Sequence, residues 1–232
     1  SITVVAVLSS AAFLILAVVC CVGTVSIGIA GDMIDEEDLK EASYEITLDG
    51  VRSLEANLAL DIGSITINQL PDNVGTVMEA DIDYIGQLDY SEANPGEPNR
   101  IVSITQSEST RGGLVGLINL FQISSWQNSE LRWNVDFNPD VPLDLSIDSS
   151  AGQLDLNLTA LTLTGLNIDL AAGELRLQLP PPVESYAVTL DSSAGYVSIT
   201  LPRNVPVRID GEQTVGTIDT DDANLNQISR DE

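Results

Sequence analysis

The sequence predicts an all-β domain, built as a β-solenoid-like repeat with a period of about 21–22 residues, behind one N-terminal transmembrane α-helix. Three observations support this prediction: an uncharged segment at residues 1–31, strict alternation of apolar and polar residues further along, and a short motif that recurs. We therefore divide the chain into an apolar helix at 1–31, an acidic linker at 32–43 and an extracytoplasmic β-repeat domain at 44–232.

The uncharged N-terminal segment predicts a membrane anchor. A helix needs about 20 apolar residues to cross the hydrocarbon core of a bilayer, and residues 2–22 are the best candidate. The acidic run from Asp32 to Asp38 cannot enter hydrocarbon and ends the predicted span. We expect residues 2–22 to contact membrane lipid and the residues after Asp32 to lie outside the cytoplasm.

The recurring motif is Asp-x-x-Ala-Gly, which starts at Asp148, Asp169 and Asp191. Its glycines fall at positions 152, 173 and 195, Gly216 follows at nearly the same interval, and Gly63 marks a degenerate earlier copy. A repeat of this length indicates stacked supersecondary units.

Each unit is expected to contain two short strands. The first strand ends at the aspartate, a corner of small residues follows, and the second strand ends at a Leu-Pro pair such as the ones that contain Pro180 and Pro202. Inward Leu, Ile and Val side chains would stack into one core, with successive coils about 4.8 Å apart. A meander or a sandwich is the alternative architecture.

Two segments interrupt the repeat. Residues 86–100 hold prolines, glycines and asparagines, and we expect a long exposed loop there. Residues 112–128 are apolar but too short to span a membrane. They either cover one end of the solenoid or form an exposed loop that contacts a partner or the membrane surface. In the second case the contact residues are Leu117, Leu120, Phe121 and Trp126.

Composition excludes several function classes. With 35 Asp+Glu against 9 Lys+Arg and a formal net charge of -26, the chain repels phosphate backbones, so no nucleic-acid partner is expected. It has no histidine, and its two cysteines are adjacent, which excludes imidazole catalysis and a tetrahedral zinc site. Asp148 and Asp191 suggest a carboxylate pair, but no nucleophile or base motif accompanies them. We expect no enzyme activity, no cofactor and no metal.

Three smaller features remain open. Either cysteine, Cys20 or Cys21, is a candidate for lipidation, and the acidic residues at 219–222 and at 32–38 are candidates for calcium. Asn157 lies in a glycosylation sequon. None of these patterns is specific enough to assign a site.

The strand patterns also carry a resemblance. The segments that carry it are Tyr44–Val51, Leu58–Ile67, Glu79–Tyr84, the strand around Trp133 and Asn138–Leu143, together with the repeated Asp-x-x-Ala-Gly corners. Over about residues 42–230 these segments resemble toast-rack proteins, and are similar to LiaF-like envelope proteins and adhesin-like domains. The resemblance implies a β-solenoid-like fold, an envelope location and no established catalytic residues.

These inferences favour a non-enzymatic, single-pass membrane protein. Its extracytoplasmic domain would be a structural and interaction module that binds other envelope or membrane-complex proteins, or copies of itself. The alternative is a pilin-like or archaellin-like subunit, whose N-terminal helix would pack in the core of an extracellular filament. An enzyme is the least favoured class.

Overall fold

The computed structural model describes residues 2–8, 39–71, 75–107, 131–203, 205 and 207–213. These residues form eleven strands in one sheet, and no helix occurs among them, which confirms the all-β class. The strands are β1 (Ile2–Leu8), β2 (Lys40–Thr47), β3 (Ser53–Gln69), β4 (Thr76–Tyr84), β5 (Gln87–Ala93), β6 (Asn99–Ser107), β7 (Arg132–Phe137), β8 (Leu143–Asn157), β9 (Leu163–Gln178), β10 (Ala187–Thr200) and β11 (Val207–Gln213).

The four long strands β3, β8, β9 and β10 form the centre of the sheet and run parallel to one another. Asp148 of β8 pairs with Asp169 of β9, which is the same position of the next copy of the motif. Asp169 pairs in turn with Asp191 of β10, one further copy along the chain. The period in the sequence is therefore the stacking period of the coils.

The corners lie inside continuous strands, contrary to the expectation that a strand ends at each aspartate. β3, for example, runs through Gly63, and β9 runs through Gly173. Both glycines have positive φ, 139° and 144°, which is a conformation that residues with a Cβ rarely adopt. Glycine thus lets a strand bend while the register with its neighbour stays the same on both sides of the corner, as Ser149↔Leu170 and Gly152↔Gly173 show. The strands end where the Leu-Pro pairs were expected to stop them, before Pro180 and Pro202.

The sheet divides into two arms at β3. The first half of β3 (Ser53–Ala59) pairs with β6, which pairs with β5. The second half (Ser64–Gln69) pairs with β7, followed by β4 and β2. Tyr44 of β2 and Tyr90 of β5 stack with ring centroids 4.3 Å apart and planes 7° apart, so the outer strands of the two arms meet.

The core lies on the inward side of the bent strands. Alternation along β3 buries Leu58 and Ile65 on either side of the corner. Trp133 and Phe137 of β7 are fully buried in the same cluster. Because each coil contributes side chains at equivalent positions, one apolar core runs through the stack.

The segment predicted as a long exposed loop is mostly a hairpin. Residues 87–93 and 99–107 pair antiparallel as β5 and β6, so only the short turn between them is irregular. Asn94 and Gly96 adopt positive φ in that turn, 62° and 84°. The same residues that indicated a loop supply the turn geometry of a hairpin.

The N-terminal segment differs from its prediction. Ile2–Leu8 is a strand, where the sequence predicts the first turns of a helix, and it lies between β10 and β11, parallel to both. Its sequence, ITVVAVL, is rich in β-branched residues, which favour strands. The other residues of the predicted helix lie outside the described residues. No helix long and apolar enough to cross a membrane occurs in the part of the chain that the structure describes. β2 begins at Lys40, within the segment predicted as linker.

Candidate functional site

The sequence suggested Asp148 and Asp191 as a carboxylate pair, and the structure places a third aspartate, Asp169, between them. Asp148, Asp169 and Asp191 form a ladder on adjacent parallel strands. Since neighbouring strands lie about 4.8 Å apart, the two predicted carboxylates are two strand spacings from each other and do not form a pair. Asp169 could have been predicted from the sequence as a member of this group, because it occupies the same position in the second copy of the motif.

The ladder perturbs its middle member. Asp169 is exposed, yet partial desolvation raises the pKa of its carboxyl above the ordinary value, and the charges of Asp148 and Asp191 raise it further. Like charges at adjacent positions disfavour ionisation of the group between them. The ladder is thus a repulsive feature of the repeat rather than a catalytic dyad.

A glycine ladder holds the coils close together at the corner. A Cβ built on Gly152 would overlap the carbonyl oxygen of Gly63, and a Cβ on Gly173 would overlap that of Gly152. The same overlap occurs between Gly195 and Gly173. The obstructing atoms are backbone, which cannot rotate away. The repeated glycine is therefore required by the close approach of one coil to the next.

A polar pocket lies where the two arms separate. β6 pairs with β3 as far as Ala59, and β7 pairs from Ser64 onward, so the described strands leave the corner of β3 without a neighbour on that side. The resulting cavity has a volume of about 340 Å³. It is lined by Ala59, Leu60, Asp61, Gln106, Ser107, Asp148 and Ser150.

Two acceptor atoms in this pocket are buried without a hydrogen-bond partner. Gln106 is 7% exposed, and its Nε2 donates to the carbonyl oxygen of Ile85 at 3.0 Å. That bond fixes the orientation of the amide and leaves Oε1 unpaired, as is Oδ2 of Asp61. Unpaired buried acceptors are costly. The pocket is therefore suited to hydrogen-bond donors, and neither Asp61 nor Gln106 carries a local sequence motif that could have identified it.

The pocket offers polar side chains of three kinds. Its lining holds carboxylates, hydroxyls and one amide, with no cysteine, lysine or arginine among the residues that line it. Across the described ranges, no group of three or more acidic or cysteine side chains is placed to hold a metal ion.

A second candidate surface is the far end of the coil stack. β1 pairs only with Ala187–Asp191 of β10, and no described strand pairs with Tyr196–Thr200 on the side away from β9. Tyr196 is 62% exposed there. Val197 and Ile199 are half-buried and pack against the core. Among the described residues, this half of β10 is therefore an open sheet edge with apolar side chains.

Most of the other sequence candidates lie outside the described residues. Leu117, Leu120, Phe121 and Trp126 do so, as do both cysteines and the acidic groups at 32–38 and 219–222. Asn157 is the last residue of β8 and is exposed. Its Oδ1 accepts hydrogen bonds from the backbone N–H of Thr159 at 3.4 Å and from Thr159 Oγ1 at 2.7 Å. Glycosylation of this sequon stays a prediction.

A comparison with known protein families gives a match over most of the chain. The N-terminal domain of toast_rack, DUF2154, matches residues 35–200, which include the four central strands and both arms. The chain belongs to the toast-rack family. No curated protein matches it in sequence. The match ends at the last residue of β10, at the open edge of this toast-rack domain.

Two solved structures of adhesin-like proteins also resemble this toast-rack chain. One is a candidate cell adhesion protein from Clostridium sporogenes ATCC 15579, at 15% identity and a TM-score of 0.47, covering 69% of this chain and 98% of that one. The other is a candidate adhesin from Bacteroides fragilis NCTC 9343, at 7% identity and a TM-score of 0.24, covering 68% of this chain and 96% of that one.

Proposed function

We propose that this toast-rack protein is a non-enzymatic interaction module, held at the outer face of a membrane by its uncharged N-terminal segment and binding a protein partner through the open end of its coil stack. The observation that carries the proposal is the unpaired half of β10. Apart from the corner of β3, the described parts of the long strands are paired on both sides, whereas residues 192–200 of β10 have only β9 as a neighbour among the described strands.

The open edge has the properties of a strand-binding surface. Backbone groups along an unpaired edge can pair with an added strand, while side-chain contacts supply specificity. Tyr196 provides an exposed aromatic side chain beside this edge, and aromatic residues are enriched at interface hot spots. The outermost strands of the two arms differ, since β2 carries Lys40, Glu41 and Glu45 and β5 carries Asp89. Charges of this kind protect an edge against pairing.

Family membership and charge support binding rather than turnover. The toast-rack family is not a family of enzymes. The formal net charge of -26 opposes association driven by electrostatics alone. An apolar contact is therefore a better candidate for the interface than an ionic one. It would involve Tyr196 and the apolar segment 112–128, for which a partner contact was one of the two predictions.

The membrane location is supported by the length of the uncharged segment. Residues 1–31 exceed the roughly 20 residues that a spanning helix needs. The acidic residues that follow would remain in water. Protease treatment of intact, wall-stripped cells tests the orientation: the β domain is expected to be cut or shaved there, and to be protected in inverted vesicles. The reverse pattern would refute an extracytoplasmic location.

Site-specific photo-crosslinking tests the binding surface. A photoreactive phenylalanine analogue replaces Tyr196, and the matched control carries it at Thr159, an exposed position in the turn between β8 and β9. After irradiation of cells, we expect a discrete crosslinked band from position 196 and none from position 159. Equal crosslinking at the two positions, or none at position 196, would contradict a partner at the open edge.

A further inference from the structure

β1 pairs in register between two strands, β10 and β11, that are one repeat apart in sequence. Thr189 of β10 pairs with Val5 of β1, and Val5 pairs with Asp210 of β11. On its other side Thr189 pairs with Asn167 of β9, which precedes it by one repeat. Asp210 follows Thr189 by one repeat in the same way. β11 therefore stands one repeat after β10 in sequence, but two strand positions from it in the sheet.

β11 could pair directly with β10 without a change of register. The same one-repeat offset already joins β8 to β9 and β9 to β10. The connection at residues 201–206 is long enough for the position next to β10, because residues 158–162, one residue fewer, already join β8 to its parallel neighbour β9. β1 thus lies between two strands, β10 and β11, that could pair directly with each other in its absence.

An inserted β1 and a single membrane span exclude each other. β1 and β2 belong to the same sheet, so both must lie on the same side of a bilayer. Residues 9–38 join them. One crossing by this connection would separate the two strands, and two crossings would need about 40 apolar residues.

We infer that the space between β10 and β11 is a binding site for one parallel strand, that Ile2–Leu8 is its occupant, and that β11 closes onto β10 when this segment enters the bilayer. The occupant fits both environments, since ITVVAVL is uncharged and rich in β-branched residues. The membrane-bound state rests on the proposed function, whereas the inserted state rests on the strand register alone.

Cysteine pairs distinguish the two states in the full-length chain. A disulfide requires Cα atoms about 4.4–6.8 Å apart, which adjacent parallel strands provide and strands separated by a third do not. The pair Val5→Cys with Thr189→Cys reports the inserted state, and Thr189→Cys with Asp210→Cys reports the closed state. Thr189→Cys with Asn167→Cys is the matched control, because β9 and β10 are neighbours in both states.

The background variant carries Cys20→Ala and Cys21→Ala, so that only the introduced thiols react. Each pair is oxidised with copper phenanthroline, once in washed membrane vesicles and once after transfer of the protein to detergent-free buffer. In vesicles we expect the 189–210 disulfide in at least tenfold excess over the 5–189 disulfide. In buffer we expect the reverse ratio, with the control pair oxidised equally in both.

The outcomes separate this inference from the proposed function. Protein that resists carbonate extraction from the vesicles but forms mainly the 5–189 disulfide there would overturn the exchange and leave the membrane location standing. Protein that carbonate releases would refute the membrane location and, with it, the closed state. A 189–210 disulfide that predominates over the 5–189 disulfide in vesicles and in buffer alike would show that β1 does not bind between β10 and β11.

Discussion

The glycine ladder makes a quantitative prediction about how closely the coils approach. Replacing Gly173 by Ala introduces a Cβ that would overlap the carbonyl oxygen of Gly152, with the carbonyl carbon and nitrogen of Gly152 also within 2.9 and 3.0 Å. The same residue has φ of 144°. The substitution therefore combines a steric overlap with an unfavourable backbone conformation.

The two effects have separable magnitudes. Backbone strain at positive φ costs about 1–3 kcal/mol for a residue with a Cβ, and forcing packed groups apart costs about 1–3 kcal/mol. Gly173→Ala should thus lower the free energy of unfolding by about 2–6 kcal/mol, offset by about 0.4–1 kcal/mol from the stiffer unfolded chain. Such a loss is a large part of the roughly 5–15 kcal/mol that stabilises a domain.

Three matched glycines isolate each effect. Gly152 has no positive φ but meets the carbonyl oxygen of Gly63, so its Ala variant reports the overlap alone. Gly50 has φ of 74° and no atom within 4 Å of a Cβ, so its variant reports the strain alone. Gly75 has neither feature, and its variant should lie within about 0.5 kcal/mol of wild type.

The measurement is urea unfolding of the full-length protein in detergent, followed by circular dichroism in the strand region. The loss for Gly173→Ala should approximate the sum of the losses for Gly152→Ala and Gly50→Ala. If Gly152→Ala unfolds at the same urea concentration as Gly75→Ala, then the coils do not approach at the corner and the reasoning is refuted.

Three further predictions concern other features of the molecule. Asp169→Asn should raise the urea midpoint at pH 7 by a small amount, because partial desolvation and the two flanking aspartates raise the pKa of that exposed carboxyl and disfavour its charged form in the fold. The wild type is destabilised by this ionisation as pH rises from about 3.9, the ordinary pKa of aspartate, through the raised pKa of the folded state. The gain from Asn should therefore vanish below about pH 3.9, and a gain that persists there would contradict the prediction. Tyr186→Phe should cost about 1–2 kcal/mol of unfolding free energy, since the buried hydroxyl donates to the carbonyl oxygen of Pro180 at 3.0 Å, and an unchanged melting curve would count against that bond. Phe121→Ser with Trp126→Ser should reduce the assembled mass of the detergent-solubilised protein on a sizing column, and unchanged elution with a folded domain would mean that residues 112–128 only cover the core.

The coil stack could be predicted because its information is local and repeated. In a parallel in-register stack, a fixed offset in sequence becomes a fixed neighbour in space, so Asp148, Asp169 and Asp191 identify their own pairing. The arms could not be predicted in this way. β2, β4 and β7 pair antiparallel with one another and carry no repeat, so no fixed offset in sequence indicates which strand each one meets.

The polar pocket shows why the site was harder to predict than the fold. Asp61 and Gln106 lie far apart in sequence and come together only because β6 leaves β3 just before the corner. Neither residue belongs to a motif, and their unpaired oxygen atoms become visible only when every neighbouring donor has been placed. Pattern analysis detects residues that recur, whereas this pocket exists where the repeat is interrupted.

The charges of the repeat also influence how its last coil closes. The aspartate ladder is bounded by uncharged residues at both ends, since Asp148 pairs with Ala59 and Asp191 pairs with Val7 of β1. Val7 in turn pairs with Glu212 of β11. Direct closure of β11 onto β10 would place Glu212 in register with Asp191 and extend the ladder by a fourth acidic position. Like charges directly opposite each other oppose pairing, and salt screens that repulsion over about 8–10 Å at physiological ionic strength. Low salt should therefore favour the state in which β1 is inserted, and higher salt should favour direct pairing of β11 with β10. The acidic ladder would then influence the balance between these two states.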